Sequence, residues 1–143
     1  MTPYWDAIIV KPSDEVTSST IVHDENNFFF TTIANRIYEI VLVIAYVSSS
    51  GTPDLKLQIG ENTNADTGFV VSAGATTTDG GHGTNIKNIR TAITYGAFTS
   101  IRTLFLDGSI LGFGGVWRVQ WAANSAGGTT TIKAGSYMRY RLV

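Results

Sequence analysis

The sequence contains no cysteine, and its 143 residues include only three prolines and two histidines. Without cysteine the chain has no disulfide, no thiolate nucleophile, no iron–sulfur cluster and no cysteine-ligated zinc site. The 10 basic and 11 acidic residues are evenly spread, so the sequence has no basic stripe for nucleic acid and no acidic tail. We therefore expect little active-site chemistry and no nucleic-acid partner.

Long apolar runs are missing as well. The longest, Ile40–Val47, has eight residues, whereas a helix that spans a bilayer needs about 20. Residues 1–10 lack the basic and apolar regions of a signal peptide, and we interpret them as mature sequence. We expect no membrane partner and a single domain over residues 1–143, since a chain of this length can bury a self-sufficient core.

The chain is rich in short segments of β-branched and aromatic residues, separated by turn signals. This spacing predicts an all-β fold, an antiparallel β-sandwich of jelly-roll type with roughly ten short strands. An up-and-down barrel is the alternative architecture. The predicted strands are Trp5–Val10, Thr20–Val22, Phe28–Thr32, Arg36–Val47, Leu55–Ile59, Phe69–Ala73, Ile86–Tyr95, Ser100–Asp107, Gly115–Ala122, Thr129–Lys133 and Ser136–Val143.

Turn residues and strand periodicity add detail to this prediction. Asp107–Gly108 is a hairpin signal. Period-two alternation predicts which side chains face the core, and these are Trp117, Val119 and Trp121 in one strand and Met138, Tyr140 and Leu142 in another. The other predicted turns are Asp24–Asn27, Ser50–Asp54, Ala126–Gly128 and Ala134–Gly135.

Candidate chemistry is sparse. His82 lies in a glycine-rich stretch that we interpret as an exposed loop tip, formed by Gly80, Gly81, His82 and Gly83. His23 precedes a predicted turn, and two histidines cannot form a histidine-rich metal site. Asn62–Gly68 partly imitates a calcium loop and Gly112–Gly115 a dinucleotide fingerprint, but their spacings favour a turn and a sheet bulge. We predict no catalytic residue, no metal site and no cofactor.

Aromatic residues near the N-terminus point to binding instead. A free arm is usually polar and disordered, whereas this one carries Tyr4 and Trp5. We expect residues 1–10 to dock, either on the domain's own sheet or on a neighbouring subunit. The candidate interface residues are Tyr4, Trp5, Ile8 and Val10.

Several short segments carry a resemblance to a known group of proteins. Lys11–Thr20, followed by Asp24, Glu25 and Phe28, resembles the opening of small β-structured virion proteins of tailed bacteriophages. The later segments that share this likeness are Tyr38, Gly51–Lys56, Gln120–Asn124 and Lys133–Met138. The likeness covers most of the chain. It is absent over Glu61–Gly83.

The resemblance implies a capsid decoration protein, which is a non-enzymatic structural component of the virion. Such a protein binds the major capsid protein and itself, as a homotrimer on the outer surface of the capsid, after synthesis in the cytoplasm of the bacterial host. The alternative is a tail-fibre or receptor-binding tip that recognises host glycans. The third hypothesis is a small hydrolase or a metal-dependent enzyme, for which His82 is the best candidate residue.

Overall fold

Every regular element in the described part of the chain is a β-strand. The structure, a computed structural model, describes residues 5–60, 67–75, 82–88 and 92–143, of which 67–75 and 82–88 are described as backbone only. Among these residues no helix is long and apolar enough to cross a membrane. The strands are β1 (Ala7–Val10), β2 (Glu15–Thr17), β3 (His23–Thr31), β4 (Ile37–Ser48), β5 (Leu55–Ile59), β6 (Thr67–Ala75), β7 (His82–Asn88), β8 (Ile93–Tyr95), β9 (Arg102–Leu111), β10 (Val116–Ala123), β11 (Thr130–Ile132) and β12 (Tyr137–Leu142).

These strands form two antiparallel sheets. The larger sheet has the order β1-β12-β4-β9-β6-β7, and β11 pairs with both β2 and β4 beside it. The smaller sheet has the order β3-β10-β5-β8. The two sheets pack through their inner faces, which is the layer arrangement of a β-sandwich.

The chain passes between the sheets as a jelly roll does. β1 pairs with β12, and β2 pairs with β11. β1 and β2 therefore act together as one interrupted strand, and β11 and β12 act together as another. The larger sheet then supplies the first, third, sixth and eighth strands of a jelly roll, and the smaller sheet the other four. The β6–β7 hairpin is an insertion that extends the larger sheet beyond β9. The predicted jelly-roll-like sandwich is confirmed.

Period-two alternation builds the core between the sheets. The predicted core positions Trp117, Val119, Trp121 and Met138 are fully buried. Tyr140 and Leu142 are only partly buried but pack against the core, so the predicted faces are confirmed. Burying a large apolar side chain contributes about 1.5–3 kcal/mol, so the core-facing side chains supply much of the driving force for folding. The core-facing residues of β4 are Tyr38, Ile40, Leu42, Ile44 and Tyr46.

Two predicted turns are wrong because long-range pairing overrides local preference. Asp107–Gly108 lies inside β9, where ten successive residues pair with β4 from Leu111 to Arg102. Asp24–Asn27 lies inside β3, at a register irregularity opposite β10. There the carboxylate of Glu25 accepts hydrogen bonds from the N–H groups of Asn27 (2.7 Å) and Phe28 (2.5 Å). The sequence signal for a turn corresponds to a bulge within a strand.

Two strand predictions also need correction. Thr20–Val22 is not a strand, and the strand before β3 is Glu15–Thr17, which pairs with β11. The predicted strand Ile86–Tyr95 is two strands, β7 and β8, which belong to different sheets. The remaining predicted strands match observed ones to within a few residues at each end.

The connection between β9 and β10 is a tight one, as the predicted bulge over Gly112–Gly115 suggested. Gly114 has a φ of 89°, in the left-handed region that favours glycine. A Cβ added to Gly112 would lie 2.4 Å from the carbonyl oxygen of Ile33, so the β3–β4 and β9–β10 connections meet backbone to backbone.

Candidate interaction surfaces

The larger sheet has an apolar surface on the side away from the core, which we call the outer face. On β4 it consists of Ile37, Glu39, Val41, Val43, Ala45 and Val47, which alternate with the core residues of the same strand. Five of these six are apolar. A water-facing side of an antiparallel sheet normally carries polar residues. The composition of β4 is instead that of a strand covered on both sides.

Neighbouring strands continue this surface. Val10, Tyr137, Val43 and Phe105 are paired in register on β1, β12, β4 and β9, and form one transverse row. Phe105 and Val10 are each 56% exposed. The large apolar side chains of the outer face that are exposed in the described chain are Ile8, Val10, Val16, Ile37, Phe105, Leu111 and Val143. Exposed apolar area of this extent marks interaction surfaces in proteins.

Charged residues flank the row on the outer face. The adjacent row runs from Arg139 on β12 through Val41 on β4 to Asp107 on β9. In the row after that, Arg141 on β12 binds Glu39 on β4 through an N–O distance of 2.5 Å. The β12 side of the face is therefore basic and the β9 side acidic.

A shallow groove of about 560 Å³ crosses this charged part of the outer face. It combines apolar walls with carboxylate, hydroxyl and guanidinium groups. Its lining residues are Ile37, Glu39, Asp107, Gly108, Ser109, Arg141 and Val143.

The N-terminal segment lies along the same face. The ring of Trp5 covers the guanidinium groups of Arg139 and Arg141, at 4.5 and 5.5 Å from the ring centroid. The N–H of Asp6 donates to the carbonyl of Tyr140 (3.0 Å), and its carboxylate accepts from the N–H of Leu142 (2.5 Å). Trp5 thus docks on the domain's own sheet, the first of the two alternatives.

The other predicted interface residues differ in outcome. Ile8 and Val10 point outward from β1 and are 61% and 56% exposed, and their place in an interface stays a prediction. Tyr4 lies outside the described residues. In the predicted exposed loop, Gly80 and Gly81 also lie outside them, whereas His82 and Gly83 begin β7 and pair with Ala75 and Gly74.

The outward side of the smaller sheet is polar. Asp24 accepts from Arg118 and from Gln120, each at 2.9 Å, and Gln58 donates to Gln120 at 3.1 Å. These groups form a hydrogen-bonded row across three strands. Phe29, 46% exposed, lies beside the row with the Arg118 guanidinium 5.9 Å from its ring centroid. The outward side of the smaller sheet is therefore more polar than the apolar strip that β4 contributes to the outer face.

A buried ionic cluster links the segment after β1 to the bulge in β3. Lys11, only 2% exposed, binds the carboxylates of Glu15 (2.5 Å) and Glu25 and the side-chain oxygen of Asn27 (3.0 Å). Glu15 also accepts from the indole N–H of Trp121 at 3.1 Å. The ammonium of Lys11 and the carboxylates of Glu15 and Glu25 are thus engaged with one another inside the protein, which indicates a structural role.

Burial and pairing with Lys11 have opposite effects on the pKa values of Glu15 and Glu25. Burial raises the pKa of Glu25, although Lys11 and two backbone N–H groups oppose this. Burial also acts to raise the pKa of Glu15, but the hydrogen bond and charge of Lys11 outweigh it and hold the pKa below its ordinary value of 4.5. The sequence gives no signal for this cluster, because its members are up to 106 positions apart.

The remaining candidates for chemistry do not converge. Trp117 and Trp121 are fully buried and so belong to the core rather than to a sugar-binding platform. His23 begins β3 instead of preceding a turn, and its ring lies 5.5 Å from that of Trp121. Most of the calcium-like segment Asn62–Gly68 lies outside the described residues. Within the described ranges, no three metal-ligating side chains come together.

Comparison with known proteins adds little. No family model matches the chain, and no curated protein matches it. Among solved structures, the chain is similar to a bacterial lipoprotein from Bacteroides thetaiotaomicron, at 10% sequence identity over 94% of this chain and 86% of that chain. The TM-score is 0.28, so this likeness carries no argument about function.

Proposed function

We propose that the chain is a non-enzymatic structural protein of a bacteriophage virion, a capsid decoration protein that binds the outer capsid surface as a homotrimer. The observation that carries this proposal is the outer face, on which five of the six β4 positions are apolar. Such a surface is stable in water when another protein covers it. In a decoration protein, such a surface can be covered by a neighbouring subunit or by the capsid.

The residues that carry the resemblance to virion proteins support a structural role. Lys11, Glu15 and Glu25 belong to the buried ionic cluster, and Tyr38 and Trp121 to the core. These positions hold the two sheets and the N-terminal segment together. A motif whose members build the scaffold fits a protein that works by presenting surfaces.

Repeated weak contacts would suffice for capsid binding. A specific interface buries about 1,000 Å² or more in total, and a trimer that engages the capsid at three points gains affinity through avidity. The formal net charge of −1 keeps repulsion between densely packed copies small. Ile8 and Val10, exposed on β1, are the candidate interface residues of the outer face.

The test is the position of the chain in an image reconstruction of the particle that carries it. We expect hundreds of copies on an icosahedral lattice, outside the shell of the major capsid protein. A few copies on a tail would overturn the proposal. Binding to purified empty capsids gives a second readout, in which Ile8→Lys with Val10→Lys weakens binding at least tenfold and Val116→Lys, at an exposed position on the smaller sheet, leaves it unchanged.

One observation favours the alternative, a tail-fibre or receptor-binding module that recognises host glycans. Asp24, Arg118 and Gln120 offer fixed donors and acceptors for sugar hydroxyls, and Phe29 offers a ring face for stacking. A glycan array with the parent chain and a Phe29→Ala variant tests this. Binding that Phe29→Ala abolishes would support the alternative, and an array without hits would remove it.

A further inference from the structure

The outer face of the larger sheet requires a specific occupant. Its centre is the transverse row Val10, Tyr137, Val43 and Phe105, which carries no charge. Its margin contains the paired charges of Arg141 and Glu39. An apolar centre with a polar margin is the anatomy of a protein–protein interface, and buried aromatic residues contribute most of the binding energy in such interfaces.

We infer that this occupant is a second copy of the same chain, and that the β12 side of the outer face in one copy contacts the β9 side in the next. The inference rests on the proposed function in one respect, since it places the contacts of the proposed homotrimer. The capsid then binds elsewhere, at the sheet edge or the loop ends.

The size of the outer face suits this occupant. The ten residues of β9 extend over roughly 33 Å, and five strands from β1 to β6 span roughly 24 Å. The face therefore offers roughly 800 Å² in all, or roughly 400 Å² to each of the two neighbours that a copy has in a ring of three. The three contacts of the ring together would bury roughly 2,400 Å², an amount typical of permanent assemblies. A short peptide or a small ligand would leave most of it uncovered.

The charges on the face make it complementary to itself. Arg139 lies on the β12 side of Val41 and Asp107 on the β9 side, about one strand spacing away in each direction. When the β12 side of one copy meets the β9 side of another, Arg139 approaches Asp107 of the neighbouring copy. A contact between two different parts of the face is the kind that closes into a ring of three.

Phe105 and Phe29 provide a matched pair of variants. Both are phenylalanines of similar exposure, 56% and 46%, but Phe105 lies on the outer face and Phe29 on the opposite sheet. We expect the parent chain to be a trimer in native mass spectrometry and in light scattering. Phe105→Glu should raise the dissociation constant at least a hundredfold and give monomers, whereas Phe29→Glu should leave the mass unchanged. Circular dichroism confirms that each variant is folded.

A charge exchange tests the orientation and does not depend on Phe105. Asp107→Arg and Arg139→Asp should each weaken the assembly at least tenfold, and the two together should restore most of the loss. If the double variant loses as much affinity as the two single variants combined, the proposed pairing of β12 with β9 would be overturned. Dissociation by Phe29→Glu instead of Phe105→Glu would overturn the choice of face.

The outcomes separate this inference from the proposed function. A parent chain that stays monomeric at about 100 µM, well above the micromolar upper end of dissociation constants for standard-size interfaces, yet decorates capsids would overturn the self-contact and leave the capsid role intact. A trimer that Phe105→Glu dissociates but that binds no capsid would support the self-contact and remove the capsid role.

Discussion

Lys11 is the residue whose replacement should cost the most stability per atom removed. In a Lys11→Met variant the carboxylates of Glu15 and Glu25 lose their cation while Glu25 stays 1% exposed. Leaving a buried charge unpaired costs about 3–5 kcal/mol. We expect a loss of this size in the free energy of unfolding, measured by urea denaturation.

Two further variants isolate the cause of that loss. Lys133→Met breaks the ion pair between Lys133, whose side chain is 31% exposed, and Asp14, whose side chain is 40% exposed. Because water screens this pair, the variant should lose far less stability than Lys11→Met. Lys11→Met combined with Glu25→Gln should be more stable than Lys11→Met alone, because no unpaired charge remains at position 25. Equal losses for Lys11→Met and Lys133→Met would contradict the assignment of a buried cluster.

Glu15 should make stability depend on pH. Its pKa is lowered in the folded protein, so its contribution is fully present above its ordinary value of 4.5 and is lost as the pH falls below that value. Glu25, whose pKa is raised, acts in the opposite direction and loses its contribution as the pH rises. We expect the urea midpoint of Glu15→Gln to fall less than that of the parent when the pH is lowered from about 6 to about 3, a range that includes the pKa of a carboxyl group. Parallel falls would contradict this.

At the scale of the elements, the meeting of the β3–β4 and β9–β10 connections is sensitive to a single methyl group. In Gly112→Ala the new Cβ would lie 2.4 Å from a backbone oxygen and 2.9 Å from the Cβ of Thr32, so the chain must shift. Overpacking of this kind costs about 1–3 kcal/mol. Thermal unfolding should show this loss for Gly112→Ala and a change within about 0.5 kcal/mol for Gly51→Ala, since nothing lies within 4 Å of a Cβ at Gly51.

Strand faces were predictable wherever one strand had to separate a core side from a water side. The alternation in β10 and β12 identified Trp117, Trp121 and Met138 as core residues, because a shift of one position would expose all of them. The predicted turn at Asp107–Gly108 was wrong, since local propensity carries no information about distant pairing partners such as Val41 for Asp107 and Ile40 for Gly108.

The candidate surfaces were only partly predictable. Ile8 and Val10 were predicted to be interface residues from their place in the N-terminal segment, which stays a prediction. The uninterrupted apolar run of Ile40–Val47 was interpreted as a buried strand. That run contains both the core side and the outer face of β4. The row that joins Val43 to Phe105 depends on the pairing of β4 with β9, which the sequence does not state.

For the whole molecule, assembly through the outer face should make stability depend on protein concentration. A partner that binds only the folded state raises the free energy of unfolding by mass action. We expect the melting temperature of the parent to rise by several degrees when its concentration rises from micromolar to hundreds of micromolar, and that of Phe105→Glu to stay constant. A constant melting temperature in both chains would contradict self-assembly.

The hydrogen bond from the N–H of Leu142 to the carboxylate of Asp6 brings positions 6 and 142 side by side. A short glycine linker between residues 143 and 5 could therefore join them without displacing a strand, and new ends could be opened at the exposed loop around Gly51. This circular permutant should fold with the same circular dichroism spectrum as the parent chain. A protein fused to the new ends would then lie at the opposite end of the sandwich. The same scaffold could thus display a fused protein at either of its two ends.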